Sequence, residues 1–360
     1  MSGLGIDGIG HYTQELRARL LQRGDVKLRE FMYSVADGPA QSATNAQVVG
    51  GFNLQAAVSL LTNLGFERLR PLLREGVDLV HATDHLVPKT SRVPVIATLM
   101  DAIPLSNPEW VAFSRLKGAA WRRSMRWADR IITVSKFSRE TIEEHFSIPA
   151  SNIDVIPLGV DEKWFAESSP ALLAEVAGRY ELPPSYLLFV GTLQPRKNLE
   201  GLIRAHEAIP SILREAYPLL IVGRVGWGVD ALKQRLSSNS LTHVRWLEYV
   251  DGADLPAIVA LARALVLPSL AEGFGLPVLE AFAAGTAVIA SNTTSIPEVA
   301  GSAALLVDPT SEDEIAGALQ RVTEDDALIE DLEHRGRKRA RLFTWDQTAE
   351  LSVEAYRKLI

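Results

Sequence analysis

Short apolar runs rich in β-branched residues punctuate the first half of the chain. VDLVHA (77–82), PVIATL (94–99), RIITVS (130–135) and IDVIP (153–157) are near-continuous in hydrophobicity rather than alternating. Strands covered on both faces carry that pattern, so these predict buried parallel strands. Between them lie stretches with helical spacing, such as SRETIEEHF (138–146). The pattern restarts with YLLFVG (186–191), YPLLIVG (217–223), HVRWLEY (243–249), ARALVLPS (262–269) and TAVIAS (286–291). Strands separated by helices make βαβ units and a parallel sheet. Two such series in 360 residues predict an α/β chain with two Rossmann-like domains facing each other across a cleft.

The break falls near 160–184, a stretch of turn residues that ends in Pro183-Pro184 directly before a fresh strand. The expected organisation is one domain over 1–165, a second over 166–342, and a terminal amphipathic helix over 343–360 with Thr344 as its N-cap. A polar, Gly-containing segment at 34–53 reads as a long loop. The start is unusual. A doubly wound domain opens with a strand and the Gly-rich turn follows it, whereas here Gly3, Gly5, Gly8 and Gly10 come first and the helix HYTQELRARLLQR follows. The N-terminal domain is therefore expected to lack its first strand, with residues 1–9 irregular.

Composition narrows the function classes. Hydrophobic residues make up 47% and charged residues 22%, as in ordinary soluble enzymes. Cysteine is absent, which removes disulfides, thiolate metal sites and a cysteine nucleophile. The start has neither a basic n-region nor an apolar h-region, and the apolar run AIVALARALVLP (257–268) is too short to span a bilayer. A cytoplasmic protein is the expectation. The net charge of -7 argues against nucleic-acid binding. One stretch runs the other way: residues 115–139 carry eight basic residues and one acid. It reads either as the solvated face of an amphipathic helix or as a patch for anionic lipid or a phosphate-bearing acceptor, helped by Trp121 and Trp127. The second reading places the protein peripherally at the inner face of a membrane.

In open parallel sheets, ligands sit beyond the carboxyl ends of strands. After ARALVLPS comes EGFGLPVLE, with Glu272 and Glu280 at its ends. Pro277 suits a first helical turn, Gly273 and Gly275 let the backbone approach a ligand, and the helix N-terminus offers N–H groups to an anion. A carboxylate can accept two hydroxyl protons, so a diol is its natural partner. Two carboxylates with anion-binding amides between them suit a nucleotide sugar. Surface glutamates at each end of an amphipathic helix are the alternative. After YLLFVG comes GTLQPRKNL, where Arg196 and Lys197 stand just before a helix. Cations there oppose the helix dipole and call for an anion, for which a diphosphate is the candidate. The loop from Thr293 to Gly301 enters another short helix and reads equally well as simple capping.

EGFGLPVLEAFAAGTAVIAS followed by PEVAG, together with GTLQPRKNL, resembles glycosyltransferase family 4, the retaining sugar transferases of GT-B fold. The resemblance covers nearly the whole chain, from GIGHY (8–12) to the last helix. It implies an acceptor-side domain, a nucleotide-sugar-binding domain, and a terminal helix crossing back to the first. It implies that Glu272 contacts the donor hexose, that Glu280 holds the ribose, and that Arg196 and Lys197 neutralise the diphosphate. Backbone near Gly273, Phe274, Gly275 and Leu276 would face the sugar and phosphates, and the loop around Gly8 and Gly10 would approach the donor. Many relatives carry a His-Asp pair where this chain has Met100-Asp101, so Asp101 is left as a candidate for acceptor contact. His81 and His85 do not occupy that place and read as core or acceptor-side residues. Many also carry Arg at the position of Thr192, a donor-side candidate here, so Arg196 and Lys197 would carry the phosphate alone.

The chemistry implied is hexosyl transfer with retention, without a cofactor or metal, since cations and helix-end amides can stabilise the leaving diphosphate. A front-face route is favoured because Glu272 is the only motif-borne nucleophile candidate and in the family it binds sugar hydroxyls. GTLQPRKN resembles the subgroup building bacterial surface polysaccharides, with GDP-mannose favoured as donor over a UDP-sugar and a glycan or polyprenyl-diphosphate-linked acceptor. A sugar-nucleotide epimerase of the same fold and a non-catalytic nucleotide-sugar-binding protein stand as alternatives.

Overall fold

The structure, a computed structural model, describes residues 8–34, 47–51, 59, 73, 76–83, 85, 87–90, 93–110, 115–238 and 241–360. The chain divides into two compact units: residues 1–106, 113–159 and 345–360 form the first, and residues 107–112 and 160–344 the second. Each is built on parallel strands.

In the first unit, helix α1 (Gly8–Gln22) opens the described chain, and Tyr12, Leu16 and Leu20 bury one face at four-residue spacing. This corrects the expected irregular start. Gly8 and Gly10 form the first turn of a helix rather than a loop, because the apolar stripe that begins at Tyr12 carries the helix back through them. The missing-strand expectation falls on residues 1–7, outside the described residues. Strands β1 (Phe31–Ser34) and β2 (Gln47–Gly51) pair in parallel as a two-stranded sheet. The reading of 34–53 as one long loop is thereby corrected at its end: Val48 and Val49 sit in a short strand that its flanking glycines disguised. Strands β3 (Val80–Ala82), β4 (Val95–Thr98), β5 (Arg130–Thr133) and β6 (Ile153–Val155) make a four-stranded parallel sheet in that order. Helices α2 (Arg115–Met125) and α3 (Lys136–Phe146) connect them, and the Ser135 hydroxyl caps α3 by accepting from the Ser138 N–H at 3.0 Å.

The second unit holds β7 (Leu187–Val190), β8 (Leu219–Val222), β9 (Val244–Leu247), β10 (Ala264–Leu267), β11 (Ala287–Ser291) and β12 (Leu305–Val307). The sheet order is β12-β11-β10-β7-β8-β9, parallel throughout. Strands β7, β8, β10 and β11 are buried almost end to end, which explains their unbroken apolar runs. Helices α4 (Leu199–Ala208), α5 (Leu276–Ala284), α6 (Ile296–Ala300), α7 (Glu312–Glu324) and α8 (Asp326–Ala340) belong to this unit. The terminal helix α9 (Trp345–Arg357) belongs to the first. It packs on α1 through Trp345 and Tyr12, and the Thr348 hydroxyl donates to the Pro157 carbonyl at 2.8 Å.

A buried polar chain links α1, β3, β4 and α9. The His81 ring bonds the Tyr356 hydroxyl through Nδ1 and the Thr98 hydroxyl through Nε2, both at 2.8 Å, and Thr98 also meets the Tyr12 hydroxyl at 2.9 Å. Burial lowers the His81 pKa to about 3, so the ring is neutral and structural.

Candidate active site

The second sheet places neighbouring strands β7 and β10 at the point where strand order reverses. Their carboxyl ends diverge into loops that leave on opposite sides, and the crevice between such loops is where an open α/β sheet takes a ligand. The two motifs singled out in the sequence are these two loops.

After β7, residues Pro195–Lys197 form a single 3₁₀ turn, and Asn198 in left-handed conformation redirects the chain into α4. The backbones of β7 and β8 run very close just beyond the strands: a Cβ at Gly223 would stand 2.0 Å from the Gly191 carbonyl oxygen. After β10, the chain turns through Ser269–Gly275 and enters α5. Gly275 holds φ at +107°, and a Cβ there would also strike Ile296 at 2.6 Å, so this entry to α5 requires glycine. No side chain caps the N-terminus of α5, which leaves its first-turn amides to other partners.

Glu272 lies at the centre, only 5% exposed. Its Oε1 takes bonds from the Lys197 ammonium and, at 2.7 Å, from the Ser269 hydroxyl; its Oε2 takes the Arg196 guanidinium at 2.8 Å. Arg196 also donates to the Ala271 carbonyl at 3.0 Å. Burial on its own would raise the Glu272 pKa, but the two cations overcome it and the pKa falls to about 2. The carboxylate is therefore ionised and already paired. The sequence pointed to a diphosphate as the counterion that Arg196 and Lys197 need, and the protein provides an internal one. Both cations thus meet on one carboxylate, one on each oxygen.

Three further residues were missed as site-builders. Ser269 is fully buried and orients Oε1. The Glu272 N–H reaches the Thr294 hydroxyl at 3.2 Å, and the Ser295 hydroxyl donates to the carbonyls of Glu272 and Phe274 at 2.8 and 3.0 Å. Thr294 sits at φ +58°, which a β-branched residue adopts only under constraint. The loop that read equally well as simple capping thus braces the glutamate loop; the run of three hydroxyls, Thr293-Thr294-Ser295, was the available signal.

Of the other candidates, Gly273, Phe274 and Gly275 are buried beside Glu272, and Phe274 packs edge-on against Phe343 at 6.0 Å. Leu276 is half-buried at the start of α5, and Glu280 is half-buried one turn further in. Thr192 is exposed in the β7 loop. Gly8, Gly10 and Asp101 lie in the first unit, where the Asp101 carboxylate accepts the Ile103 N–H at 3.0 Å and opens a short helix. His81 is half-buried, held between Tyr356 and Thr98, and His85 stacks edge-on with Trp121 at 6.1 Å. At the ends of β8 and β9, the Arg224 guanidinium lies 5.1 Å from the Tyr249 ring centre, and both Tyr249 and Trp227 are largely exposed. No pattern in the sequence had drawn attention to that aromatic edge.

Residues 6–164 match the family described as Glycosyltransferase Family 4, and residues 179–341 match Glycosyl transferases group 1. O-antigen chain mannosyltransferase B of Escherichia coli is 32% identical, the match covering 98% of this chain and 97% of that protein. The chain belongs to this glycosyltransferase family. It is an enzyme, a hexosyltransferase of two parallel-sheet α/β domains. The serotype-specific mannosyltransferase WbdA of Escherichia coli is 29% identical over 72% of the chain; the match covers 33% of that larger protein. Two solved structures share the GT-B fold with the transferase: Anabaena HepE in complex with UDP and glucose (TM-score 0.75, 19% identity, 97% of this chain and 95% of that one) and sucrose-phosphate synthase from Thermosynechococcus elongatus (TM-score 0.74, 23% identity, 98% and 94%). No described helix of the transferase is long and apolar enough to cross a membrane.

Proposed function

We propose that this transferase moves a mannosyl group, with retention at the anomeric carbon, from a nucleoside-diphosphate mannose to a glycan or lipid-linked glycan acceptor. The observation that carries the donor half is the cationic cluster of Arg196 and Lys197 around Glu272 at the switch point of the second sheet. The full-length relative named as an O-antigen mannosyltransferase supports the sugar. Membership of the family favours transfer over sugar-nucleotide epimerisation.

In this reading the diphosphate docks at the β7 loop and the first turn of α5. Lys197 and Arg196 turn part of their charge from Glu272 to the phosphates, and Glu272 is released to the hexose hydroxyls. As the glycosidic bond breaks, negative charge builds on the leaving diphosphate, where preorganised cations and amides stabilise it. The leaving oxygen can accept the acceptor's hydroxyl proton on the same face, which gives retention without a carboxylate nucleophile. Glu280, on α5, takes the ribose diol. The Arg224–Tyr249 edge offers a flat, cation-backed surface to the nucleobase, and GDP is the preferred nucleotide. Metal independence follows from the same cations.

The decisive experiment incubates the full chain with GDP-mannose, UDP-glucose and ADP-glucose against a panel of mannose-terminated acceptors, with and without EDTA, and reads product anomers by NMR. An α-linked mannoside from GDP-mannose is expected. A product of inverted configuration, or an altered free sugar nucleotide, contradicts the proposal.

Peripheral contact with an anionic membrane through 115–139 belongs to the same proposal, in modified form. Arg122, Arg123 and Arg126 are exposed along one side of the segment. Trp121 and Trp127 instead pack against the core, Trp121 edge-on to Phe146 at 5.0 Å. Any attraction to anionic lipid is thus electrostatic rather than aromatic, and vesicle binding should vanish at high salt.

A further inference from the structure

Because all six strands of the second sheet are parallel, the loops at their carboxyl ends form one row in the order β9, β8, β7, β10, β11, β12. Neighbouring strands are about 4.8 Å apart. The cationic cluster occupies the middle of the row, on the loops after β7 and β10. One step further along, a recess of about 390 Å³ opens among the loops after β10, β11 and β12. That volume lies within the roughly 300–1,000 Å³ usual for small-ligand sites. Leu270, Asn292, Asp308, Thr310 and the indole of Trp110 line it. Trp110, on the short turn Pro108–Trp110, belongs to the second unit.

The recess shares its walls with the cluster. The Asn198 side-chain amide donates to the Pro309 carbonyl at 2.6 Å, which ties the floor of the recess to the residue after Lys197. Thr293, on its rim, precedes the threonine that holds the Glu272 N–H. Asp308 is preset: its Oδ1 accepts the Thr310 N–H and hydroxyl at 2.8 and 2.7 Å, and these bonds hold its carboxyl below the usual range. The lining therefore combines one aromatic face, an ionised carboxylate, an amide and a hydroxyl. A pyranose matches it: one face of weakly positive C–H bonds for the negative face of an indole, and a rim of hydroxyls for polar side chains.

We propose that this recess is a binding subsite for the acceptor glycan, one pyranose unit packing on Trp110 and hydrogen-bonding Asp308 and Asn292. The inference rests on the transferase reading above. It places the acceptor at the end of the row opposite the nucleobase, with the transferred hexose between them. The second unit would then contribute to acceptor choice as well as donor binding.

The test titrates the full chain with α-mannotriose, and separately with GDP, by saturation-transfer NMR and calorimetry, for the wild type, Trp110→Ala, Trp110→Phe and Asp308→Asn. Loss of the stacking face should weaken the trisaccharide about tenfold or more, Trp110→Phe should restore most of it, and Asp308→Asn should weaken it several-fold. GDP affinity should stay within about twofold, as neither residue touches the cluster. Unchanged trisaccharide affinity in Trp110→Ala and Asp308→Asn overturns the proposal, as does a wild type that binds GDP but not the trisaccharide. If GDP does not bind, the donor reading fails by itself, and the comparison of trisaccharide affinities still decides the recess.

Discussion

Glu272→Gln should separate stability, donor affinity and turnover in one variant. The carboxylate is buried and its pKa is lowered from 4.5 to about 2 by Lys197 and Arg196. A shift of that size corresponds to roughly 3 kcal/mol, at 1.36 kcal/mol per unit. The folded pKa is depressed, so this stabilisation is fully present above pH 4.5 and is lost as pH falls towards 2. Glutamine keeps the shape and can still meet Ser269, but it leaves Lys197, which is 7% exposed, without its buried counter-charge. The second unit should therefore unfold about 6–12 °C lower at pH 7. The gap to wild type should be nearly constant from pH 7 to 5 and shrink by more than half by about pH 3. Differential scanning calorimetry across that range reads both features. Nucleoside diphosphate should bind the variant at least as tightly as wild type, because Arg196 and Lys197 no longer share their charge with a carboxylate. Turnover should nevertheless fall by roughly ten- to thousand-fold, the loss of one charge-assisted contact of about 1.5–4 kcal/mol in the transition state. An unshifted melting transition at pH 7, or a gap unaffected by pH down to 3, would refute the paired-carboxylate reasoning. Weaker nucleotide binding with kcat intact would refute the assignment of Glu272 to the hexose.

Further outcomes follow from other parts of the molecule. Glu280→Gln should mainly raise the donor KM and leave kcat nearly unchanged, since ribose bonds are similar in ground and transition states; steady-state kinetics decide it. Arg196→Ala and Lys197→Ala should each weaken nucleoside-diphosphate binding by roughly ten- to hundred-fold, measured by calorimetry at fixed salt. Activity should survive EDTA, and restoration of lost activity by added divalent metal would contradict the role given to the two cations. His81, with its pKa lowered to about 3, binds its proton more readily in the unfolded chain, so the first unit should lose stability as pH falls below 6.5. The loss should reach about 2 kcal/mol by pH 5 in thermal melts, and His81→Gln should flatten that slope.

Much of the architecture was legible because parallel strands buried on both faces cannot hide. LLFV, LLIV and ALVL are apolar throughout and AVIAS up to its last residue, and each is a strand. The strands β1 and β2 went unread because serine and glycine break up FMYS and QVVGG, and β12 went unread although LLV is as long as VHA and IDV. The Gly-rich start misled for the opposite reason. Glycine suggests a loop locally, but the apolar stripe of Tyr12, Leu16 and Leu20 decides for a helix.

The same division runs through the site. Sequence alone singled out the loops after β7 and β10, because glycine, proline and charge at the carboxyl ends of strands are local signals with few other uses. It could not show that Arg196 and Lys197 turn inward to Glu272, for residues 75 or so apart meet only once β7 and β10 become neighbours. Nor could it show that Ser269, Thr294 and Ser295 brace that glutamate, or that Trp110 joins Asp308 around a recess. Strand order is set by how the helices of each βαβ unit cover the sheet, a property of the whole fold that no window of residues contains. Pairing of charge across strands, and the pKa that follows from it, is therefore the contribution of tertiary structure alone.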